Sequence, residues 1–171
     1  MGCIAMQASE GAAVSFNDYL TRTARPRARP VIWRADTLVD CLASATIAER
    51  GAIALIDPEA ADAATIAPGL SCVVQVVPPG GKTSSHAHSF WHLFLVRAGF
   101  GCALFENDGS ENLLREGDIF FVPAWCSHAF VNSRDDAPLI MLVIQNLPSL
   151  AAVGTLARHE NNQPIHVVYA E

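Results

Sequence analysis

The fold of this chain is inferred first from two histidine-bearing stretches, His86-Ala87-His88-Ser89-Phe90-Trp91-His92 and Pro123-Ala124-Trp125-Cys126-Ser127-His128. Together they contain four of the six histidines of the sequence, and both have a strand-like composition. Residues two apart on a strand point to the same face, about 6.6 Å apart along it. The rings of His86 and His88 can therefore turn toward one metal ion, about 2.1 Å from each ring nitrogen. A third histidine from a neighbouring strand would complete the set.

A single His-x-His pair is weak evidence, because a lone histidine is more often an ordinary surface or core residue. The regular spacing around the pair is more informative. Five residues separate Gly80 from His86, and three separate His88 from His92. The later stretch repeats a regular spacing, with Gly117, Pro123, His128 and Asn132 separated by five, four and three residues.

This two-motif spacing resembles that of the cupin superfamily, in which the position of His92 usually holds glutamate. The first motif runs from Gly80 to Gly99 and the second from Gly117 to Asn132. The resemblance implies an all-β fold, a double-stranded β-helix or jelly-roll barrel with a metal ion in its lumen.

The likeness extends to the gentisate 1,2-dioxygenase group, which includes related salicylate and hydroxynaphthoate ring-cleaving enzymes. It runs from about Pro30 to Leu150, and its clearest parts are residues 30–34, 54–58, 75–80 and 117–125. Those enzymes carry two cupin units, and 171 residues have length for one. The resemblance implies that His86, His88 and His128 are iron ligands and that Gln75 lies near the substrate.

His92 has two interpretations. Its parity places it on the same face as His88, but along a straight strand it would be about 13 Å away. A bend near Ser89 would bring it to the metal as a fourth ligand. Without ligation, it could orient a substrate or another ligand.

Three or four neutral imidazoles leave the full double charge on a bound metal ion. Such a site favours a chelating anion, such as an aromatic carboxylate with an adjacent hydroxyl. Fe(II) is favoured by the resemblance, and the imidazole set also accepts zinc, nickel, cobalt or copper. By strand parity Phe90, Phe94 and Phe130 are expected to line the lumen and contact the substrate.

Two functions are therefore predicted. The first is a metal-dependent, dioxygenase-like cupin that acts as an oxidoreductase on a hydroxylated aromatic acid such as a gentisate-type compound. The alternative is a non-catalytic cupin that binds a metal or a small ligand. The resemblance also implies a homodimer.

The composition indicates which classes of partner and which cellular compartment to expect. A net charge of −6 argues against nucleic acid as a main partner. No stretch approaches the ~20 apolar residues of a membrane span. The five cysteines include no Cys-x-x-Cys pair, which favours free thiols in a reducing cytoplasm.

We expect three regions along the chain. Residues 1–50 are predicted to form an N-terminal arm and a helix that packs on the barrel. Residues 51–146 form the cupin barrel, and residues 147–171 form a C-terminal helix and tail, with the helix expected over 147–158. Short apolar segments separated by turn residues, such as Leu139–Gln145, predict the strands.

Overall fold

The structure of the protein is a computed structural model that describes residues 10–23, 29–44, 51–59, 64–105, 110–160 and 164–167, with the side chains of residues 40–44 outside this description. Parts of the predicted N-terminal arm and C-terminal tail, residues 1–9, 24–28, 45–50, 161–163 and 168–171, also lie outside it. The described elements are α1 (Phe16–Thr23), α2 (Ala35–Ser44), β1 (Ala52–Leu55), β2 (Ser71–Val77), β3 (His86–His88), β4 (His92–Ala98), β5 (Phe100–Phe105), β6 (Glu111–Arg115), β7 (Ile119–Val122), β8 (His128–Val131), β9 (Leu139–Gln145), α3 (Leu147–Ala152), β10 (Ala157–Glu160) and β11 (His166–Val167).

The strands form two antiparallel sheets, and the predicted all-β fold is confirmed. One sheet has the order β1-β2-β9-β4-β7, and the other has the order β11-β10-β3-β8-β5-β6. β9 shows why the sequence folds this way, because its residues are alternately buried and half-buried. Leu139, Met141 and Val143 lie in the main core, whereas Ile140 and Leu142 pack on the opposite face.

The outer face of β1, β2 and β9 is covered by the segment that precedes the barrel. Trp33 and Leu38 of this segment pack with Ile66 against a second apolar cluster. The Trp33 indole donates a hydrogen bond to the Ile56 carbonyl at 2.9 Å. This face is therefore a second core rather than a solvated surface. The division into residues 1–50, 51–146 and 147–171 stays a prediction.

Helix α1 has a clear start but no described packing partner. The Ser15 hydroxyl accepts a hydrogen bond from the Asp18 amide at 3.1 Å, which is the contact of an N-cap residue. None of its side chains is buried, and its apolar residues Phe16, Tyr19 and Leu20 are exposed.

The prediction of a helix over 147–158 was wrong in its second half. Helix α3 ends at Ala152, and Gly154 then takes a φ of 68°, which ends the helix and turns the chain. The next residues form β10, which pairs with β3. A segment expected to close the chain as a helix instead joins the histidine-bearing sheet. No described helix is long and apolar enough to cross a membrane.

Candidate metal centre

Both sheets contribute histidines to one cluster inside the barrel. His86 and His88 lie on β3, and His128 lies on β8 directly opposite His86. The ring centroids of His86 and His128 are 4.5 Å apart, and those of His88 and His128 are 5.1 Å apart. His86, His88 and His128 each offer a ring nitrogen within 4.8 Å of the other two. These three histidines can hold a metal ion.

His92 joins the cluster because the chain crosses between the sheets after His88. β3 ends at His88 and β4 begins at His92. The two histidines therefore lie on different strands, and the distance of about 13 Å expected along a single straight strand does not apply. The crossing is held at Ser89, whose amide donates to the Ala157 carbonyl at 2.9 Å. The His92 ring centroid lies 4.5 Å from that of His88 and 5.5 Å from that of His128. The bend near Ser89, which was one of the two possibilities left open by the sequence, is present, and ligation of a metal by His92 stays a prediction.

Three of the four rings are oriented in the same way. The Nδ1 atoms of His86, His88 and His128 contact backbone carbonyls at 2.9, 2.7 and 3.0 Å. A carbonyl only accepts, so each Nδ1 carries the proton and each Nε2 of the neutral ring keeps a lone pair. Proteins commonly orient metal-binding histidines through such a hydrogen bond from the second ring nitrogen.

His92 differs from the other three histidines. Both of its ring nitrogens are buried and make no hydrogen bond of normal geometry within the described residues, although the Gln145 side chain opposite acts on the ring and partly offsets the lowering of its pKa. Nε2 of His88 is also buried and unpaired. Leaving a buried polar atom unpaired costs about 1–3 kcal/mol. A cation held by His86, His88 and His128 would relieve this cost at Nε2 of His88, so the described residues fit a metal ion.

The environment keeps the histidines neutral, which is the form that binds metals. Burial is the main cause in each case. It lowers the pKa of His86 to about 4, that of His88 to about 2 and that of His92 to about 3. Burial also lowers the pKa of His128.

A cavity of about 170 Å³ opens beside the cluster. All four residues predicted to contact substrate line it: Gln75, Phe90, Phe94 and Phe130. Phe90 also stacks on the His88 ring, with centroids 3.7 Å apart. Gln75 faces this cavity, and its side-chain amide donates to the Gly51 carbonyl at 3.2 Å.

The sequence-based site omitted four polar residues that line the same cavity, Thr83, Ser84, Gln145 and Arg158. The alternation along β9 places Gln145 on the inner face, directly opposite His92. That alternation was a usable signal for Gln145. Arg158 lies on β10, and because the predicted helix ended at this residue, the sequence offered no strand alternation that would point to it.

Residues 73–145 match the family model described as the Cupin domain. The fold of this chain is the cupin fold. The matched range contains all four histidines of the cluster, and the cupin fold predicted from the motif spacing is confirmed.

The cupin resembles proteins of the gentisate and salicylate dioxygenase group. It is 33% identical over 91 residues to a 5-nitrosalicylic acid 1,2-dioxygenase of Bradyrhizobium sp, with 53% of this chain and 42% of the relative covered. It is 27% identical over 147 residues to gentisate 1,2 dioxygenase 1 of Aquipseudomonas alcaligenes, with 82% of this chain and 42% of the relative covered. The chain therefore spans less than half the length of these curated relatives.

The solved structures support the same fold. A crystal structure of a salicylate 1,2-dioxygenase from Pseudaminobacter salicylatoxidans superposes with a TM-score of 0.71 at 21% identity. The match covers 85% of this cupin and 43% of that chain. Another structure of a salicylate 1,2-dioxygenase variant was solved in complex with gentisate.

Proposed function

We propose that this cupin is a metal-dependent, dioxygenase-like enzyme that acts on a hydroxylated aromatic acid such as a gentisate-type compound. The observation that carries the proposal is the convergence of three oriented histidines, with ring nitrogens within 4.8 Å of one another, beside a cavity. The names of the curated relatives support this class of substrate.

In the proposed site, His86, His88 and His128 bind the metal through Nε2. Their hydrogen bonds to the backbone hold the rings in place before the metal arrives, so little ordering is needed on binding. Fe(II) is the proposed native ion, and iron held by these residues would supply electron transfer between an aromatic ring and dioxygen. Zinc, nickel, cobalt or copper would also suit the imidazole set.

The cavity suits one small aromatic ring. An apolar protein cavity of about 150 Å³ is known to bind benzene, and the cavity beside the histidines measures about 170 Å³. The buried rings of Phe94 and Phe130 line it, and they would contact the substrate ring and exclude water. Gln75 would donate or accept a hydrogen bond at a substrate oxygen.

A second function remains a specific alternative, namely a non-catalytic cupin that binds a metal or a small ligand. The position of His92 favours it, because its ring lies 4.5 Å from that of His88. As a fourth protein ligand, His92 would occupy a position that a substrate or dioxygen needs.

The deciding experiment is elemental analysis of protein purified without added metal, followed by anaerobic loading with Fe(II) and measurement of oxygen uptake with gentisate and salicylate. Near-stoichiometric iron with uptake on either acid is expected. Tightly held zinc or nickel, without uptake after iron loading, would favour the binding protein. The Ala variants of His86, His88 and His128 should lose the metal. The matched control His166→Ala alters an exposed histidine on β11 and should keep it.

The role of His92 is tested by comparing His92→Glu with His92→Ala. If His92 is a ligand, the glutamate variant keeps the metal and the alanine variant binds it more weakly. If His92 only orients other groups, both variants keep full metal occupancy. Metal titration monitored by the visible absorption of Co(II) separates the two cases, because the band shape depends on coordination number and ligand type.

We further propose a homodimer in a reducing cytoplasm. The described cysteines Cys72, Cys102 and Cys126 form no disulfide with one another, as in proteins of a reducing compartment. A contiguous apolar surface on the outer face of β4 and β7 supports association with a second copy. Nucleic acid and membranes are not proposed as partners.

A further inference from the structure

Arg158 gives the cavity an electrostatic character that the histidine cluster alone does not explain. The residues that line the cavity among those described include Arg158 but no aspartate or glutamate. The other lining side chains are apolar, polar or histidine. The lining therefore holds one guanidinium and no carboxylate, and Glu160, the ion-pair partner of Arg158, lies outside the lining.

The position of Arg158 is set by strand pairing rather than by a flexible loop. β10 runs antiparallel to β3, with Arg158 directly opposite His88 and Glu160 opposite His86. Residues that face each other in an antiparallel pair project on the same side of the sheet. Arg158 and Glu160 therefore both project to the same side of the sheet as His88 and His86.

The side chain of Arg158 is also held in a defined orientation. It is 17% exposed, and its Nε donates a hydrogen bond to the Glu160 carboxylate at 2.8 Å. Glu160 is the acidic group paired with it on the same strand, but it does not line the cavity.

We propose that Arg158 binds the carboxylate of an anionic substrate whose ring occupies the cavity. A guanidinium group presents a planar set of donors that matches a carboxylate with two parallel hydrogen bonds. Its location next to the cluster would place the carboxylate near the metal and the ring against Phe94 and Phe130. This inference rests on the proposed function, because it assigns the substrate class of the same cavity.

The test measures binding of salicylate and of salicylamide, its uncharged analogue, by isothermal titration calorimetry. The metal-loaded full chain is used in an anaerobic buffer, and the metal-free chain is measured in parallel. Wild-type protein should bind salicylate more tightly than salicylamide. Arg158→Gln should weaken salicylate binding by about 10- to 100-fold, the range expected for hydrogen bonds to a charged group, and leave salicylamide binding unchanged.

Arg134→Gln is the matched control, because Arg134 forms an equivalent pair with Asp136 two residues away and does not line the cavity. It should leave binding of both compounds unchanged. Arg158→Lys keeps the charge but loses the planar fork, so salicylate binding should fall less than in Arg158→Gln. This variant also provides a test if Arg158→Gln does not fold.

The inference would be overturned if wild-type protein binds the acid no better than the amide or binds neither. Equal loss for both compounds in the Arg158 variants would overturn it as well. Oxygen uptake separates this result from the proposed function. Salicylate binding that depends on Arg158, without uptake, supports the inference and contradicts ring cleavage. The opposite result is oxygen uptake together with salicylate binding that is equal in the wild-type protein and in Arg158→Gln. It would support ring cleavage and contradict the inference.

Discussion

Trp125 carries a large side chain at a backbone position that favours glycine. Its φ is 65°, in the left-handed region, where a bulky residue is strained. Its amide donates to the His88 carbonyl at 2.7 Å, so this backbone conformation is tied to the histidine-bearing strand β3. The indole is 47% exposed, and little apolar burial compensates the strain.

We expect Trp125→Gly to raise the free energy of unfolding by about 0.5–1 kcal/mol. Relief of left-handed strain is worth about 1–2 kcal/mol, and the added freedom of glycine in the unfolded chain offsets about 0.5–1 kcal/mol of it. Urea denaturation measures the difference. Trp125→Ala is the control, because alanine removes the indole but keeps the Cβ atom that causes the strain. Equal stabilisation by both variants would show that the indole, not the backbone, is responsible.

At the level of single residues, the sequence predicted most of the candidate site. The pairing of His86 with His88 follows from strand parity, and His128 follows from the spacing of the second motif. The sequence could not predict to which face of the sheet Gln75 points, because β2 carries apolar residues on both of its faces. Val73 and Val77 pack toward the main core, whereas Val74 and Val76 pack under Trp33 and Leu38. Only the position of the preceding segment distinguishes the two faces.

Among the elements, β10 was the one that the sequence could not reveal. Its four residues, Ala157–Glu160, are too few to show a strand period. Their stability as a strand depends on pairing with β3, about 70 residues earlier in the chain. The preceding residues Leu147–Ala152 form a short helix. The helix predicted from the sequence continued from this segment to residue 158. The missed strand also hid Arg158.

The connection between β10 and the β3–β4 crossing depends on Ser89. Its hydroxyl donates to the Thr155 carbonyl at 2.9 Å and accepts from the Ala157 amide at 2.9 Å. Ser89→Ala removes both contacts, and we expect a loss of about 1–3 kcal/mol in the free energy of unfolding, because two backbone groups lose their partner. Faster hydrogen exchange at the Ala157 amide is the more specific measurement. The exposed Ser133→Ala should change neither quantity, and unchanged exchange at Ala157 in Ser89→Ala would contradict the assignment.

At the scale of the whole molecule, the buried histidines should make stability depend on pH. Their pKa values lie below the ordinary 6.5, at about 4 for His86 and about 2 for His88. Above pH 6.5 the contribution of these neutral histidines to the free energy of unfolding is fully present. As the pH falls from 6.5 toward 4, the unfolded chain takes up protons that the folded protein does not, so stability is lost. The positive charge of Arg158 acts in the same direction on His86.

In metal-free protein in EDTA, the free energy of unfolding should fall as the pH is lowered. The slope should approach about 1.4 kcal/mol per pH unit for each buried histidine. Urea unfolding at pH 7, 6 and 5 measures it. His88→Gln should lower this slope by the contribution of one histidine, about 1.4 kcal/mol per pH unit. His166→Ala, on an exposed strand, should leave the slope unchanged. A free energy of unfolding that is constant between pH 7 and pH 5 would mean that the cluster is hydrated in solution.

The outer face of β4 and β7 provides the last prediction, which concerns assembly. Leu93, Ile119 and Phe121 are all exposed on this face, and Leu93 lies directly opposite Phe121. β7 is the edge strand of its sheet in the described part of the chain. An exposed apolar edge strand readily pairs with another strand, and pairing with the same edge of a second copy gives a closed two-fold dimer.

We expect sedimentation velocity to show a dimer and Ile119→Lys to shift it to monomer, because an unpaired ammonium group would be buried at the interface. Leu113→Lys is the matched control. Leu113 is 67% exposed, compared with 68% for Ile119, and it lies on β6, the edge strand of the other sheet. If Leu113→Lys dissociates the dimer and Ile119→Lys does not, the contact lies on the six-stranded sheet instead. A wild-type monomer at all concentrations would remove the dimer from the proposal, while the histidine cluster, built from one chain, would remain intact.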